Sequence, residues 1–277
     1  MSIAVSLLIF LNIVISWKGM NDEAFFDAWV FEVDKIRINR DYKRLVSSTF
    51  LHLSWGHLFF NMFSLYAFGT GLEVTQGPVF LLGIYFLSGI GGDLLALFVH
   101  RHDSSYRSAG ASGAVCGVIF GCIALNPGMG IGFFLIPFSI PAWIYGIFYI
   151  LYTIYGVHTR RGNVGHDAHL GGALLGMILA VSVHPEVLQT NLIPIALMLV
   201  PGLGFIILLI KKPEILILGI GTKKKAYTTL DEKYNLERKQ QQDEINRILD
   251  KIAKTGISSL SAREKQILDT HSRHLKE

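Results

Sequence analysis

The chain has 277 residues, 51% of them hydrophobic and only 17% charged, and its mean hydropathy is positive. That balance excludes an ordinary soluble domain and reads as a membrane protein, with the lipid bilayer as its first partner. A formal charge of +4, concentrated toward the C-terminus, argues against a nucleic-acid partner, and Cys116 and Cys122, in one apolar run, fit neither a CxxC motif nor a disulfide pair.

Apolar runs fall at about 2–17, 56–72, 78–99, 110–126, 141–157, 168–184 and 191–210. Several approach the ~20 residues that cross a bilayer, which predicts an all-α polytopic membrane bundle of six or seven spans. The first run has no basic residue ahead of it and no small-residue cleavage site behind it, so it reads as a span rather than a signal peptide. The last is either a seventh span or, with Pro201-Gly202 and a second apolar piece at 214–221, one arm of a hairpin. The expected organisation is a membrane core at 1–184, an additional apolar segment at 185–221 and a polar helical tail at 222–277. After Gly221 come 22 of the 46 Asp, Glu, Lys and Arg residues. In the tail Ile245, Ile248, Leu249 and Ile252 make one helical face, Gly256 suits a helix end, and Ser261 with Glu264 has capping-box spacing for a second short helix. Such a helical hairpin is either a solvated tail or a surface for a protein partner.

Polar residues inside apolar runs are expensive in lipid and tend to mark sites. His57 and Asn61 lie four apart on one helical face, Ser112 begins the fourth run, and His169 begins the sixth. In a serpentine chain the second, fourth and sixth spans cross in the same direction, so these residues share a depth. Gly113, Gly117 and Gly121 recur every four residues in the fourth run, as do Ala168, Gly172 and Gly176 in the sixth, and such small-residue ridges permit close helix contact. A serine hydroxyl becomes a nucleophile when a histidine takes its proton, so Ser112 with His169 forms a candidate dyad. Asp167 lies on another face from His169 and leaves the dyad without an acidic third member. The backbone N–H of Ser112 and the side chains of His57 and Asn61 are placed to hold an oxyanion. The plainer readings are a helix N-cap for Ser112 and interhelical hydrogen bonding for His57 with Asn61.

His57-Leu-Phe-Phe-Asn61, Gly110-Ala-Ser112-Gly113 and Ala168-His169-Leu-Gly-Gly172, in that order, resemble the rhomboid intramembrane serine proteases, as do Arg44 and His52 before the second span and Glu73 in Gly-Thr-Gly-Leu-Glu after it. The resemblance covers roughly residues 1–184. It implies a six-span core and a serine endopeptidase with Ser112 and His169 as catalytic residues and His57 and Asn61 as the oxyanion pair. Gly110, Gly113, His52, Arg44, Glu73 and His166 would support them, Glu73 by tying a loop and His166 by lining the oxyanion region or a water path. No cofactor or metal is implied, and the substrates are transmembrane segments of single-span proteins, cut near the outer face. The stretch from Lys18 to Trp55, with Phe25, Phe26, Trp29 and Phe31, looks like the large interfacial loop of that family. Its Lys18, Lys35, Arg37, Arg40, Lys43 and Arg44 would by charge alone lie in the cytoplasm, whereas the resemblance, which we follow, places the loop and the site outside a cell membrane. Many rhomboids carry an aromatic residue four positions after the nucleophile, beneath the histidine ring; here it is Cys116, so support for His169 has to come from elsewhere.

Other chemistries fit less well. The chain has no HExxH, lacks the GxGD spacing of intramembrane aspartyl proteases, and has Ala114 where the soluble hydrolase elbow needs its last glycine. Asp93 reads as a helix-helix polar contact. A catalytically inactive rhomboid-like protein that binds membrane helices is the main rival, although every element of the motif is kept here.

Overall fold

The computed structural model describes residues 2–104, 106–132, 139–159, 165–212, 243–253, 256–261, 263–265 and 267–268. The described chain opens with α1 (Ile3–Asn21), followed by four short pieces, α2 (Glu23–Trp29), β1 (Phe31–Glu32), α3 (Val33–Arg37) and α4 (Arg44–Ser47). Then come α5 (Trp55–Gln76), α6 (Pro78–Val99), β2 (Arg107–Ser108), α7 (Ser112–Leu125), β3 (Gly130–Gly132), β4 (Ser139–Pro141), α8 (Ala142–Thr159), α9 (His166–Val183) and α10 (Val187–Lys211). Every apolar run read from the sequence is thus a helix, and the molecule is a polytopic helical bundle. By length and composition α1, α6, α9 and α10 can each cross a bilayer.

The helix ends follow local chemistry. Ser54 caps α5 by accepting the His57 N–H at 3.2 Å. Gly77, at φ +85°, turns the chain, and Pro78 opens α6 where a missing N–H costs nothing. Pro201-Gly202 does not turn the chain: α10 runs straight through it, its one non-helical residue being Asn191. The run at 191–210 is thus one helix, and the second piece of the hairpin reading, 214–221, lies outside the described residues. Burying Gly202 against Leu174 of α9 gives α10 a packed face that a turn at this point would lose.

At the centre stands α7, buried along nearly all its length. Its 14 residues extend only about 21 Å at 1.5 Å per residue, short of the ~30 Å hydrocarbon core. Around α7 the helices α6 and α9 pack at glycine distance: a Cβ on Gly92 would meet the Ala168 carbonyl oxygen at 2.5 Å, and one on Gly171 would meet that of Gly91 at 2.9 Å.

Buried polar groups tie the outer helices to this centre. Asn12 of α1 donates to the Tyr85 hydroxyl of α6 at 3.0 Å, and the Ser16 hydroxyl donates to the Phe50 carbonyl at 2.9 Å. Arg44, 5% exposed, donates to the carbonyls of Asp27 and Val30 and pairs with Asp41 at 2.9 Å, closing the 18–55 segment on itself. Glu73 does not tie a loop. It accepts the backbone N–H groups of Ala4 and Val5 at 3.0 and 2.9 Å, because the first turn of α1 has orphan donors and lies beside the end of α5.

In the tail a helix covers 243–253. Ile245 and Ile248 are buried as expected, whereas Leu249 is 50% exposed, so the buried face is narrower than the spacing suggests. Gly256, at φ +80°, ends the helix with its N–H on the Ile252 carbonyl. The capping box forms: Glu264 accepts the Ser261 N–H at 2.8 Å and the Ser261 hydroxyl accepts the Glu264 N–H at 3.3 Å. Lys251, then the Ser261 N–H, hold the Glu264 carboxyl down to about 2.

Two outcomes follow from these ties. Glu73→Ala strands two N–H groups in an apolar setting, and we expect a loss of about 2 kcal/mol or more in detergent unfolding, with Glu73→Gln costing less. An unchanged midpoint in Glu73→Ala would remove Glu73 from the scaffold. Because the Glu264 pKa is depressed, its stabilisation is full above the ordinary value of 4.5 and fades as pH falls toward about 2. At neutral pH Glu264→Gln should speed amide exchange across 243–253, and the gap from wild type should close as pH falls through that window. A gap that persists at pH 2 would assign the effect to something other than this carboxylate.

Candidate active site

The segment before Ser112 is fastened from three sides. β2 pairs antiparallel with β1, Phe31 opposite Ser108 and Glu32 opposite Arg107, and the Arg107 guanidinium bridges Asp27 and Glu32 at 2.7 Å each. The Gly110 N–H donates to the Ser48 carbonyl at 3.1 Å, and the Ala111 N–H donates to His52 Nε2 at 3.3 Å. His52 is fully buried and its Nδ1 meets the Ser16 hydroxyl at 2.9 Å, so it links α1 to the turn that presents Ser112. Gly110 sits at φ +151°, and a Cβ there would meet the His57 ring at 2.7 Å. Only glycine accommodates both the dihedral and the ring.

Ser112 is not the N-cap, which is Ala111; it is the first helical residue and makes no capping hydrogen bond. The first helical bond runs from the Val115 N–H to the Ala111 carbonyl, so the N–H of Ser112 lies in the orphan first turn. Ser112 and His169 line one cleft of about 440 Å³, together with His57, Asn61, Asp93 and Tyr149. Among the described residues no hydrogen bond joins Ser112 to His169. Asn61 donates to the His57 carbonyl one turn back at 3.1 Å, and neither side chain of this pair bonds to another helix among the described residues, which goes against the interhelical reading.

The ridges on α7 and α9 meet. A methyl group on Gly172 would overlap the Gly113 carbonyl, one on Gly176 would overlap that of Gly117, and one on Gly113 would crowd the Ala168 carbonyl at 3.2 Å. Gly117 itself turns its open side to Ser88 of α6.

His166 is not among the cleft-lining residues. Its ring lies against Gly156 and edge-on to Tyr152 of α8, centroids 5.0 Å apart, because the first residue of α9 faces that helix. Asp167 pairs with His100 Nε2 at 2.8 Å, away from His169. Arg44 and Glu73 likewise stand outside the cleft and act on the scaffold. Asp93 accepts a hydrogen bond from Ser48 at 2.8 Å, a polar contact of α6 as expected, but with a wall on the cleft as well.

Sequence reasoning missed Tyr149. Its hydroxyl lies 3.1 Å from His169 Nδ1 and 3.0 Å from Cys116 Sγ, and its ring lies near parallel to the imidazole at 21°, centroids 6.4 Å apart, joined to it through the phenol oxygen. The available signal was the lack of an aromatic side chain at Cys116, together with Tyr145, Tyr149 and Tyr152 along one side of α8.

A family model described as "Rhomboid domain" matches residues 39–186, and one described as a family of unknown function matches residues 228–274. The chain is 31% identical over 183 residues to the mitochondrial RHOMBOID-like protein 12 of Arabidopsis thaliana, covering 60% of this chain and 54% of that protein. It is 30% identical over 183 residues to the rhomboid protease GluP of Bacillus subtilis, covering 65% of this chain and 33% of the relative. A shorter likeness, 36% over 88 residues, links it to inactive RHOMBOID-like protein 8 of Arabidopsis thaliana, covering 32% and 25% of the two chains. The chain thus spans about half or less of the length of the curated relatives it matches here.

Replacing Gly172 with Leu should wedge α9 off α7. Misplacement of ~1 Å between reacting groups costs about 10²-fold in rate, so we expect that loss in Ser112 labelling by a fluorophosphonate. Leu175→Ala, on the α9 side that meets Gly91 of α6, should change the labelling far less once folded fractions are matched. Equal labelling in the two variants would show that the glycine contact does not set the spacing.

Proposed function

The chain belongs to the rhomboid family, and from that premise we propose that it is an intramembrane serine endopeptidase acting on transmembrane segments of single-span proteins. The observation that carries this reading is the opening of Ser112 and His169 onto one cleft from two helices in backbone contact. Ser112 Oγ attacks the scissile carbonyl while His169 Nε2 takes the hydroxyl proton. The negative charge passes to the carbonyl oxygen, which the Ser112 N–H and the His57 and Asn61 side chains receive. On collapse the C–N bond breaks, His169 returns the proton to the departing amine, and an acyl group remains on Ser112. Water then repeats the sequence, with His169 again taking a proton, and releases the acid. Catalytic hydrogen bonds commonly tighten only in the substrate complex, which is where Ser112 and His169 have to meet.

In this reading residues 1–184 are the catalytic core, 185–221 an added apolar segment and 222–277 a separate tail, a division that the second family match at 228–274 supports. The site faces outward in a cell membrane. The likeness to the Bacillus subtilis protease favours that location and the likeness to the mitochondrial relative an organellar one, so fractionation decides between them. The likeness to an inactive relative supports a second reading, a protein that holds membrane helices without cutting them.

Purified protein incubated with a panel of single-span substrates and a fluorophosphonate separates the two. Ser112→Ala and His169→Ala should each abolish cleavage while staying folded, and labelling of Ser112 should require His169. Cleavage that survives Ser112→Ala would end the protease reading, and a wild-type protein that neither labels nor cuts would favour the second. Asn61→Ala and His57→Ala should each slow turnover by as much as ~10²-fold and leave Ser112 labelled.

A further inference from the structure

We propose that Tyr149 is the positioning residue of His169, its phenol oxygen accepting the Nδ1 proton of the imidazole; this rests on the Ser112 and His169 reading above. His169 has to present a bare Nε2 to Ser112, so in the neutral ring the proton belongs on Nδ1. A donor at Nδ1 would enforce the opposite tautomer and leave no base. Asp167, the nearby carboxylate in sequence, is committed to His100 at 2.8 Å, and among the described residues the Tyr149 hydroxyl is the hydrogen-bond partner of the His169 ring.

The hydroxyl has one proton and two neighbours, His169 Nδ1 at 3.1 Å and Cys116 Sγ at 3.0 Å. Donation to the sulfur, a weak acceptor, leaves the oxygen lone pairs for the Nδ1 proton. The direction of the chain is thus His169 Nδ1–H to Tyr149 Oη–H to Cys116 Sγ. The oxygen fixes the tautomer and, with the two rings near parallel at 21°, the direction of the imidazole plane, and the same acceptor serves the imidazolium that forms when Ser112 gives up its proton.

This arrangement explains why a small side chain stands at Cys116. Tyr149 arrives from α8, and its hydroxyl lies at the Cys116 sulfur, so a ring rising from position 116 on α7 would occupy the same space. Ring and sulfur have exchanged helices, and the ring brings a polar oxygen to a nitrogen that stacking alone leaves unpaired.

The experiment compares wild type with Tyr149→Phe, which keeps the ring and removes the acceptor, and Tyr149→Leu, which removes both. For Tyr149→Phe we expect kcat for a single-span substrate to fall about 10-fold, the factor that one ordinary hydrogen bond carries, with KM within about twofold. Tyr149→Leu should fall further. In ¹⁵N-histidine spectra the resonance identified by its absence in His169→Gln should report an Nδ1–H tautomer in wild type and a mixture in Tyr149→Phe. Tyr152→Phe, on α8 outside the cleft, keeps the wild-type kcat. A Tyr149→Phe protein with wild-type kcat and an unchanged tautomer overturns the assignment, as does a loss that disappears once folded fractions are matched. A wild-type protein whose Ser112 never labels overturns the protease reading itself, a result that is separate from any effect of Tyr149.

Discussion

Gly172 lies on the carbonyl of Gly113, and Gly176 on that of Gly117. Lipid supplies no hydrophobic drive between helices, so van der Waals contact over a smooth surface has to hold α7 against α9. Everything proposed for the cleft depends on that contact. It sets the spacing between the helix that begins at Ser112 and the helix that carries His169. It also leaves no space for a side chain between them, so the polar groups near their N-terminal ends converge on a cavity rather than on a packed core. The third partner, α6, uses the same device at Gly91 and Gly92, and the three helices form a unit in which backbone meets backbone at several levels.

Close helices fix a distance but not the conformation of the turn above them. For that the chain uses the segment from Lys18 to Trp55, which sequence patterning reduces to a loop. Within it Arg44 donates to two carbonyls and pairs with Asp41, and the stretch before Ser112 joins it where β2 pairs with β1 and Arg107 spans Asp27 and Glu32. His52 completes the frame by joining Ser16 of α1 to the N–H of Ala111. Residues that the motif alone groups with the site thus divide into two sets. His52 and Gly110 shape the turn directly, whereas Arg44 and Glu73 steady the helices and segments that carry it.

The spans were legible because hydrophobic length is a strong signal, and the glycine ridges were legible because their four-residue period places them on one face. Ser112, His169, His57 and Asn61 could be read as polar exceptions in apolar runs at matched depth. Three features were not legible, each for a physical reason. Pro201-Gly202 resembles a turn locally, but burial of Gly202 on Leu174 overrides that preference. His166 and His169 are three apart in one short motif, yet a helical rotation of that size turns the first toward α8 and the second into the cleft. Tyr149 lies twenty residues from His169, among several aromatic residues of the same helix that sequence does not tell apart, and only tertiary packing gives it a partner.

Polar groups inside a membrane protein are costly unless they are paired, and here they sort by how they are paired. Asn12 with Tyr85, Glu73 with two N–H groups and Asp93 with Ser48 are bonded across elements, and each joins parts of the scaffold. The hydroxyls of Ser88 and Thr70 are buried without a hydrogen-bond partner among the described residues, but neither residue lines the cleft. Ser112, His57 and Asn61 differ from both groups: none bonds to another helix among the described residues, and all three open onto one cavity. Unspent hydrogen-bonding capacity alone is a small cost that a well-packed helix can carry, and a cavity alone is a packing defect. Their coincidence at a helix N-terminus, opposite an imidazole whose other nitrogen is already engaged, is what distinguishes a place for a reacting carbonyl from the polar contacts that hold the bundle together.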